Sequence, residues 1–228
     1  MADSFDYVII GAGSAGCILA NRLTADGKHT VCLLEAGPPD WNPYIHIPAG
    51  FIKTLTNPNI NWLYQSEPSH WTGGRSIDVP RGKTLGGSSS INGHIYNRGQ
   101  RMDFDSWSQR GNRNWGYSDV LPYFQRCEQR IGDADDLYRG REGNLKVTDL
   151  NYSHPLCEKF IEGAQQIGLP RNPDYNGKQQ EGFSRYEHTI KGSKRCSSAR
   201  AYLHPVLKRK NLILSLKIIL LKNQLRLV

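Results

Sequence analysis

The 228-residue sequence contains no apolar run approaching the eighteen or so residues that a membrane-spanning helix requires. Its opening, MADSFDYVIIGAG, has no basic segment, carries Asp3 and Asp6, and passes straight into a glycine motif, so neither a signal peptide nor a transit peptide is expected there. The cysteines Cys17, Cys32, Cys127, Cys157 and Cys196 are odd in number, widely spaced and free of any CxxC pair, which points to a reduced, cytoplasmic compartment rather than a disulfide scaffold. His29, His46, His70, His154, His188 and His204 form no pair at ligand spacing, and no metal site is expected. Acidic residues are absent from Pro205 to Val228, where Lys208, Arg209, Lys210, Lys217, Lys222 and Arg226 supply six of the 29 basic residues; the rest holds 23 against 21 acidic ones. The net charge of +8 is therefore terminal, and the nearly neutral body argues against a nucleic-acid-binding face. What is present is a globular composition, 38% apolar and 10% aromatic, with 23 glycines, more than the usual share of about 7%.

Several of those glycines open the chain. In DYVIIGAGSAGCILANRL a short β-rich run, Tyr7 to Ile10, precedes Gly11, Gly13 and Gly16, a GxGxxG spacing. Ala15, Ile18, Leu19 and Leu23 follow at helical intervals, and HTVCLLEAG reads as a second, buried strand ending in Glu35. In such a βαβ unit Gly11 allows the tight turn, Gly13 lets backbone approach a pyrophosphate, and Gly16 lets helix and strand pack closely. The helix N-terminus offers unpaired amides to the diphosphate. Glu35 lies nineteen positions after Gly16, near the spacing that brings a carboxylate to a ribose hydroxyl, and it disfavours the 2′-phosphate of NADP. The unit predicts dinucleotide binding over an ordinary glycine turn, and leaves FAD and NAD both open.

A second small-residue stretch, GKTLGGSSSINGHIYNRG (82–99), contains Gly86, Gly87, Ser88, Ser89 and Ser90. A flexible linker is one reading. The other is a loop that presents bare backbone and hydroxyls to the far end of the same cofactor. The immediate passage into INGHIYN, which alternates apolar with polar or small residues, favours the second.

At this point the chain resembles a known family, the glucose-methanol-choline (GMC) flavoprotein oxidoreductases, and within it the choline-dehydrogenase-like alcohol dehydrogenases. The resemblance rests on DYVIIGAGSAGCILANRL, LLEAGP, NWLYQSEP, VPRGKTLGGSSSINGHIYNRG, DFDSW, NWGYSDVLPYF and RCSSARAYLHP, in order from about Asp6 to about Leu212. It implies an α/β, FAD-binding, Rossmann-like fold, incomplete, with part of a substrate-covering region. It also implies oxidation of a small primary or secondary alcohol by hydride transfer to flavin N5, and leaves the electron acceptor open. Gly11, Gly13, Ser14 and Gly16 would hold the pyrophosphate and Glu35 the adenosine ribose. Arg81, Leu85, Gly86, Gly87 and Ser88 would line the cofactor, with Asn92, Gly93, His94 and Ile95 along the flavin ring. Family members that tether flavin through this loop carry His just before the Asn; Ile91 stands there, which implies non-covalent FAD. His94 is read as a packing or hydrogen-bonding residue at the ring edge rather than an acid or base.

The expected organisation is an FAD-binding domain over 5–212, its core at about 5–40 and 79–110, with a covering excursion over about 41–78 whose Trp41, Trp62 and Trp71 are expected to pack rather than bind ligand. RMDFDSWSQRG and SDVLPYFQRCEQRI read as helices, the second capped by Ser118. HPLCEKFIEGAQQIGLP reads as an amphipathic helix with Leu156, Phe160, Ile161, Ala164 and Ile167 on one face. Asn211–Leu216 reads as a strand, and residues 213–228 form a divergent basic tail that keeps peripheral membrane association open. By the resemblance, the base that takes the alcohol proton is expected beyond residue 228, so no catalytic residue is assigned. Two rival readings are a flavin-binding chain without turnover and an interaction protein using the basic tail. Missing neighbour strands would leave open sheet edges, so aggregation or a low melting temperature is expected.

Overall fold

The computed structural model describes residues 4–219. Along the chain run β1 (Tyr7–Ile10), α1 (Ser14–Leu23), β2 (Val31–Glu35), β3 (Tyr64–Gln65), β4 (Asp78–Val79), α2 (Arg101–Gln109), α3 (Tyr117–Cys127), β5 (Glu128–Ile131), β6 (Leu145–Thr148), α4 (Pro155–Gln166) and β7 (Leu212–Leu216), besides short helical turns and a small hairpin. The chain divides into two compact units, one formed by residues up to His94 together with those from Gly192 on, the other by Ile95–Lys191. Residues 95–110, expected in the cofactor core, thus belong to the second unit.

The first unit is built on a parallel sheet of order β1-β2-β7, in register Tyr7↔Val31 and Val31↔Leu212. β2 is central and its Val31 and Leu33 are fully buried, as a strand with neighbours on both sides requires. β1 is an edge among the described residues: Ile9 is buried, while Tyr7, Val8 and Ile10 are exposed. The expected strand at 211–216 forms and pairs with β2 along its whole length. Of the expected basic tail, residues 220–228 lie outside the described residues.

Helix α1 forms where its spacing predicts, but its packed face is Gly16, Cys17, Ala20 and Asn21, not the set containing Leu19, which is exposed. The reason is steric. A Cβ on Gly16 would overlap the carbonyl of Gly11, so only a face of small residues can lie this close to the β1 turn. Residues 199–203 pack on α1, where Asn21 Nδ2 donates to Tyr202 O at 2.8 Å. Ile45, Ile60 and Ile91 form a separate buried cluster that joins the 41–78 excursion to the glycine-serine run. Trp41 and Trp71 depart from expectation: they are 83% and 93% exposed and pack on little.

The second unit is held by buried charge as much as by apolar contact. Glu128 and Arg139 are buried, and Arg139 pairs with Glu128, Glu187 and Asp174, with Arg98 adding a 2.6 Å contact to Glu128. Despite a desolvation penalty, hydrogen bonds and the charges of Glu128 and Glu187 hold Arg139 above its ordinary pKa. Two sequence expectations fail in this unit. The helix expected to run through CEQRI stops at Cys127, because Glu128–Ile131 pairs in parallel with Leu145–Thr148. Its N-terminus is not capped by Ser118: Gly116 is the cap residue and donates its amide to Asp119 Oδ2 at 3.1 Å. In α4 the apolar stripe is real, yet only Ile161 and Ala164 are buried, while Leu156, Phe160 and Ile167 remain exposed.

Candidate functional site

The turn after β1 reaches its geometry through Gly11, whose φ of +93° favours glycine. Gly13 is the N-cap residue of α1, and no side chain caps that end. Cβ atoms placed on Gly11 or Gly13 would meet nothing within 4 Å, so both face open space. Gly16 serves packing instead, as described above. The helix therefore presents free amides to a cleft that no protein atom fills.

The second glycine loop closes on the first. Gly86 N donates to Ala12 O at 2.8 Å, and a Cβ on Gly87 would come within 2.8 Å of Gly13 Cα. Gly86 and Gly87 adopt φ of +87° and +54°. Two turns more than seventy residues apart in sequence thus touch backbone to backbone. They bound a cavity of about 500 Å³, lined by Gly11, Gly13, Ser14, Glu35, Trp62, Arg81, Gly87 and Ser88, with Ile10, Leu34, Ala36, Gly82, Ile218 and Ile219 completing the wall. That volume lies within the range of about 300–1,000 Å³ typical of small-molecule sites.

Glu35 is buried, and its carboxylate is held by two backbone amides: Ala12 N on Oε2 and Gly37 N on Oε1, each at 2.8 Å. A carboxylate offers roughly four acceptor positions, so capacity remains for hydroxyl donors. Arg81 is an exposed residue of the cavity lining; among the described residues its Nη1 donates to Pro80 O at 2.8 Å, and its charge is available to an anion.

The serines behave differently from the expectation that all three offer hydroxyls to a ligand. Only Ser88 lines the cavity. Ser90 is fully buried and donates to Leu85 O, and Ser89 donates to Gly86 O while accepting from Ser198 N at 2.9 Å. The turn over Gly87–Ser90 consumes these hydroxyls to satisfy its own carbonyls. Leu85 is buried behind the loop rather than on the cavity wall.

Asn92, Gly93 and His94 follow in the same unit but do not line the cavity. Asn92 Oδ1 accepts from His94 N at 3.0 Å and from Arg195 Nη1 at 2.7 Å. His94 is buried in a left-handed conformation, φ +50°, with Nε2 3.3 Å from Pro48 O and its ring edge-on to Phe51. It is placed as a packing and hydrogen-bonding residue. Ile95 belongs to the second unit, where it bridges His188.

Two contributors escape the sequence reading. Trp62, expected only to pack, stacks on Tyr64 with planes 7° apart and also forms part of the cavity wall, with Lys83 Nζ 4.9 Å from its ring centroid. Arg195, the first residue of the RCSSARAYLHP stretch, has no role assigned from sequence; it is buried against the glycine-serine run, donating to Ser89 O and Asn92 Oδ1. Cys17 faces the same turn but is chemically quiet: burial pushes its thiol up to about 12.

A βαβ unit with an uncapped glycine turn, an acidic residue ending β2 and a second glycine loop sealing the cleft defines a dinucleotide-binding α/β protein. The chain matches the GMC oxidoreductase family over residues 5–226 and belongs to it. The N-terminal domain of this family is its FAD-binding domain, and FAD is its cofactor. Among curated relatives, an alcohol dehydrogenase [acceptor] from Pseudomonas putida is 45% identical over 208 residues, covering 91% of this chain and 38% of that protein. An oxygen-dependent choline dehydrogenase from Brucella ovis is 48% identical over 206 residues, covering 90% and 37%. Among solved structures, pyridoxine 4-oxidase from Mesorbium loti superposes with a TM-score of 0.87 at 34% identity, over 94% of this chain and 42% of that one. Formate oxidase from Aspergillus oryzae shares the fold, with a TM-score of 0.85 at 24% identity, 95% of this chain and 39% of that one. The chain thus spans less than half the length of these proteins.

Proposed function

We propose that the chain forms the FAD-holding part of an oxidoreductase that acts on the CH–OH group of a small alcohol, choline or another primary or secondary alcohol. The observation that carries this reading is the backbone contact of Gly87 on Gly13, which joins two glycine turns around one cavity ending at Glu35. The residues fit the cofactor. Gly11, Gly13 and Ser14 leave room for a pyrophosphate at the helix N-terminus, and Arg81 lines the same cavity and can offset its charge. Glu35 has acceptor capacity for ribose hydroxyls, and its carboxylate would repel a 2′-phosphate. Gly87 and Ser88 continue the wall, and Gly86 and Leu85 hold that loop from behind. Asn92, Gly93, His94 and Ile95 are assigned to the flavin ring by the family resemblance. The absence of a His before Asn92 supports non-covalent attachment.

When bound, FAD supplies an acceptor for the hydride leaving the carbinol carbon. The chain's own residues bind, orient and shield it. Proton removal from the alcohol needs a base within hydrogen-bond reach. Glu35 is tied to two amides at the adenosine end, and His94 is committed to Pro48 and Phe51. That commitment favours a second reading, in which these 228 residues hold flavin without turning over alcohol. The experiment is direct: purify the chain, record the flavin absorbance bands, release the cofactor by heat and identify it, then assay reduction of an artificial acceptor with choline and simple alcohols. Released FAD with turnover supports the enzyme; released FAD without turnover supports the second reading. A chain that takes up no FAD, or takes up NAD instead, refutes both.

A further inference from the structure

Arg195 is fully buried, yet no carboxylate among the described residues pairs with it. Its Nε donates to Ile45 O at 2.8 Å, and Nη1 donates to Asn92 Oδ1 at 2.7 Å and Ser89 O at 3.2 Å. Nη2 is buried with no acceptor. Its own carbonyl accepts from Arg200 Nη1 at 2.7 Å, which brings a second cation rather than an anion alongside. The contrast with the second unit is instructive, because there the buried Arg139 meets Glu128, Glu187 and Asp174. Burial without a counter-charge lowers the Arg195 pKa to about 10, still far above neutrality, so the guanidinium stays charged.

A buried cation with an unused donor is costly unless something in the working state compensates it. Arg195 touches the run that carries the assigned flavin residues at both of its ends, through Ser89 and Asn92, and fixes it to the turn at Ile45. We propose that Arg195 is a positioning residue of the flavin site, which sets the 89–92 loop and keeps an uncompensated positive charge behind it that favours the reduced, negatively charged flavin. This rests on the FAD reading above. Its balance is simple: oxidised flavin plus two electrons and one proton gives a ring with one negative charge, which a fixed cation stabilises relative to the neutral oxidised ring.

The test is the midpoint potential of the FAD-loaded chain, measured by reductive titration with dithionite against a reference dye, for wild type, R195Q, R195K and N92D. R195Q removes the charge, and the reduction equilibrium should shift about tenfold or more toward the oxidised form, about 30 mV for a two-electron couple. R195K keeps the charge without the planar fork; it should bind FAD more weakly but hold the wild-type potential to within about twofold in the equilibrium. N92D offers Arg195 Nη1 an ionised partner without deleting a side chain, and should shift the equilibrium in the same direction as R195Q, a readout that survives if R195Q does not fold. A wild-type potential in R195Q or in N92D, or a shift in R195K as large as in R195Q, overturns the proposal. Failure of wild type itself to take up FAD would remove the underlying reading, a distinct result.

Discussion

Replacing Gly13 with Ala separates the ligand's space from the protein's. Gly13 has φ −76° and ψ −163°, which alanine tolerates, and its new methyl meets no protein atom within 4 Å. The loss is confined to the weaker N-cap preference of alanine, so folding stability should stay within about 1 kcal/mol of wild type. The methyl instead enters the cleft between the two glycine loops, where the pyrophosphate is assigned. Overpacking of a filled site costs about 1–3 kcal/mol, which is roughly a 5- to 150-fold loss of FAD affinity at about 1.4 kcal/mol per tenfold. Gly87→Ala is the counterpart. Its Cβ would lie 2.8 Å from Gly13 Cα, at a φ of +54°, so the methyl collides with the protein itself. Stability and affinity should fall together, the former by about 2–4 kcal/mol from overpacking and the left-handed backbone. The assay is paired: thermal unfolding of the apo chain, and FAD titration followed by quenching of flavin fluorescence. G13A with wild-type stability and FAD affinity within twofold of wild type would refute placement of the cofactor between these loops. G13A that unfolds like G87A would refute the claim that the space is the ligand's.

Three further outcomes follow from the same geometry. Glu128→Gln breaks a buried pair to Arg98 and Arg139, which should cost about 3–5 kcal/mol and lower the melting temperature by more than about 6 °C; an unchanged transition would show the network to be dispensable. Burial holds the His188 pKa below its ordinary 6.5, against the opposing charges of Asp149 and Glu187, so the neutral ring stabilises the fold above 6.5 and that contribution is lost as pH falls toward the depressed folded value. His188→Gln should therefore flatten the decline in melting temperature between pH 6.5 and about 5, and an identical slope would contradict the assignment. Native titration with a thiol reagent should label exposed Cys157 early and leave Cys17 unreacted until unfolding; early labelling that persists in a Cys157→Ser, Cys127→Ser variant and maps to Cys17 would overturn its burial.

The parts of this structure that sequence discloses are those governed by local stereochemistry. The β1 turn, α1, β2 and the acid at Glu35 follow from glycines and apolar runs that have few other uses, and the strand at Leu212–Leu216 forms where its pattern indicates. Long-range choices are less legible. The packed face of α1 depends on how close Gly16 comes to Gly11, which outweighs the greater hydrophobicity of Leu19. The end of α3 at Cys127 is decided by a partner strand seventeen residues on, not by any breaker in CEQRI. Ser118 is a good cap by composition, but Asp119 reaches the Gly116 amide first. The three serines read alike as letters, and only the turn geometry shows that Ser89 and Ser90 donate to carbonyls of the loop, while Ser88 accepts from Gly82 N and lines the cavity. Arg195 opens the RCSSARAYLHP stretch, yet its letters do not show that it is buried without a counter-charge; only the packing does.

The pairing of β7 with β2 dictates a schedule for biosynthesis. These strands lie on either side of the whole 95–191 unit, so the sheet that supports the cavity stays two-stranded on the ribosome while that unit emerges. At about 5–20 residues per second, roughly 9–35 s separate the appearance of Glu35 from that of Leu212. During that interval the flank of Val31–Glu35 that Leu212–Leu216 later pairs with, rich in branched aliphatics, is an open edge for wrong strand pairing.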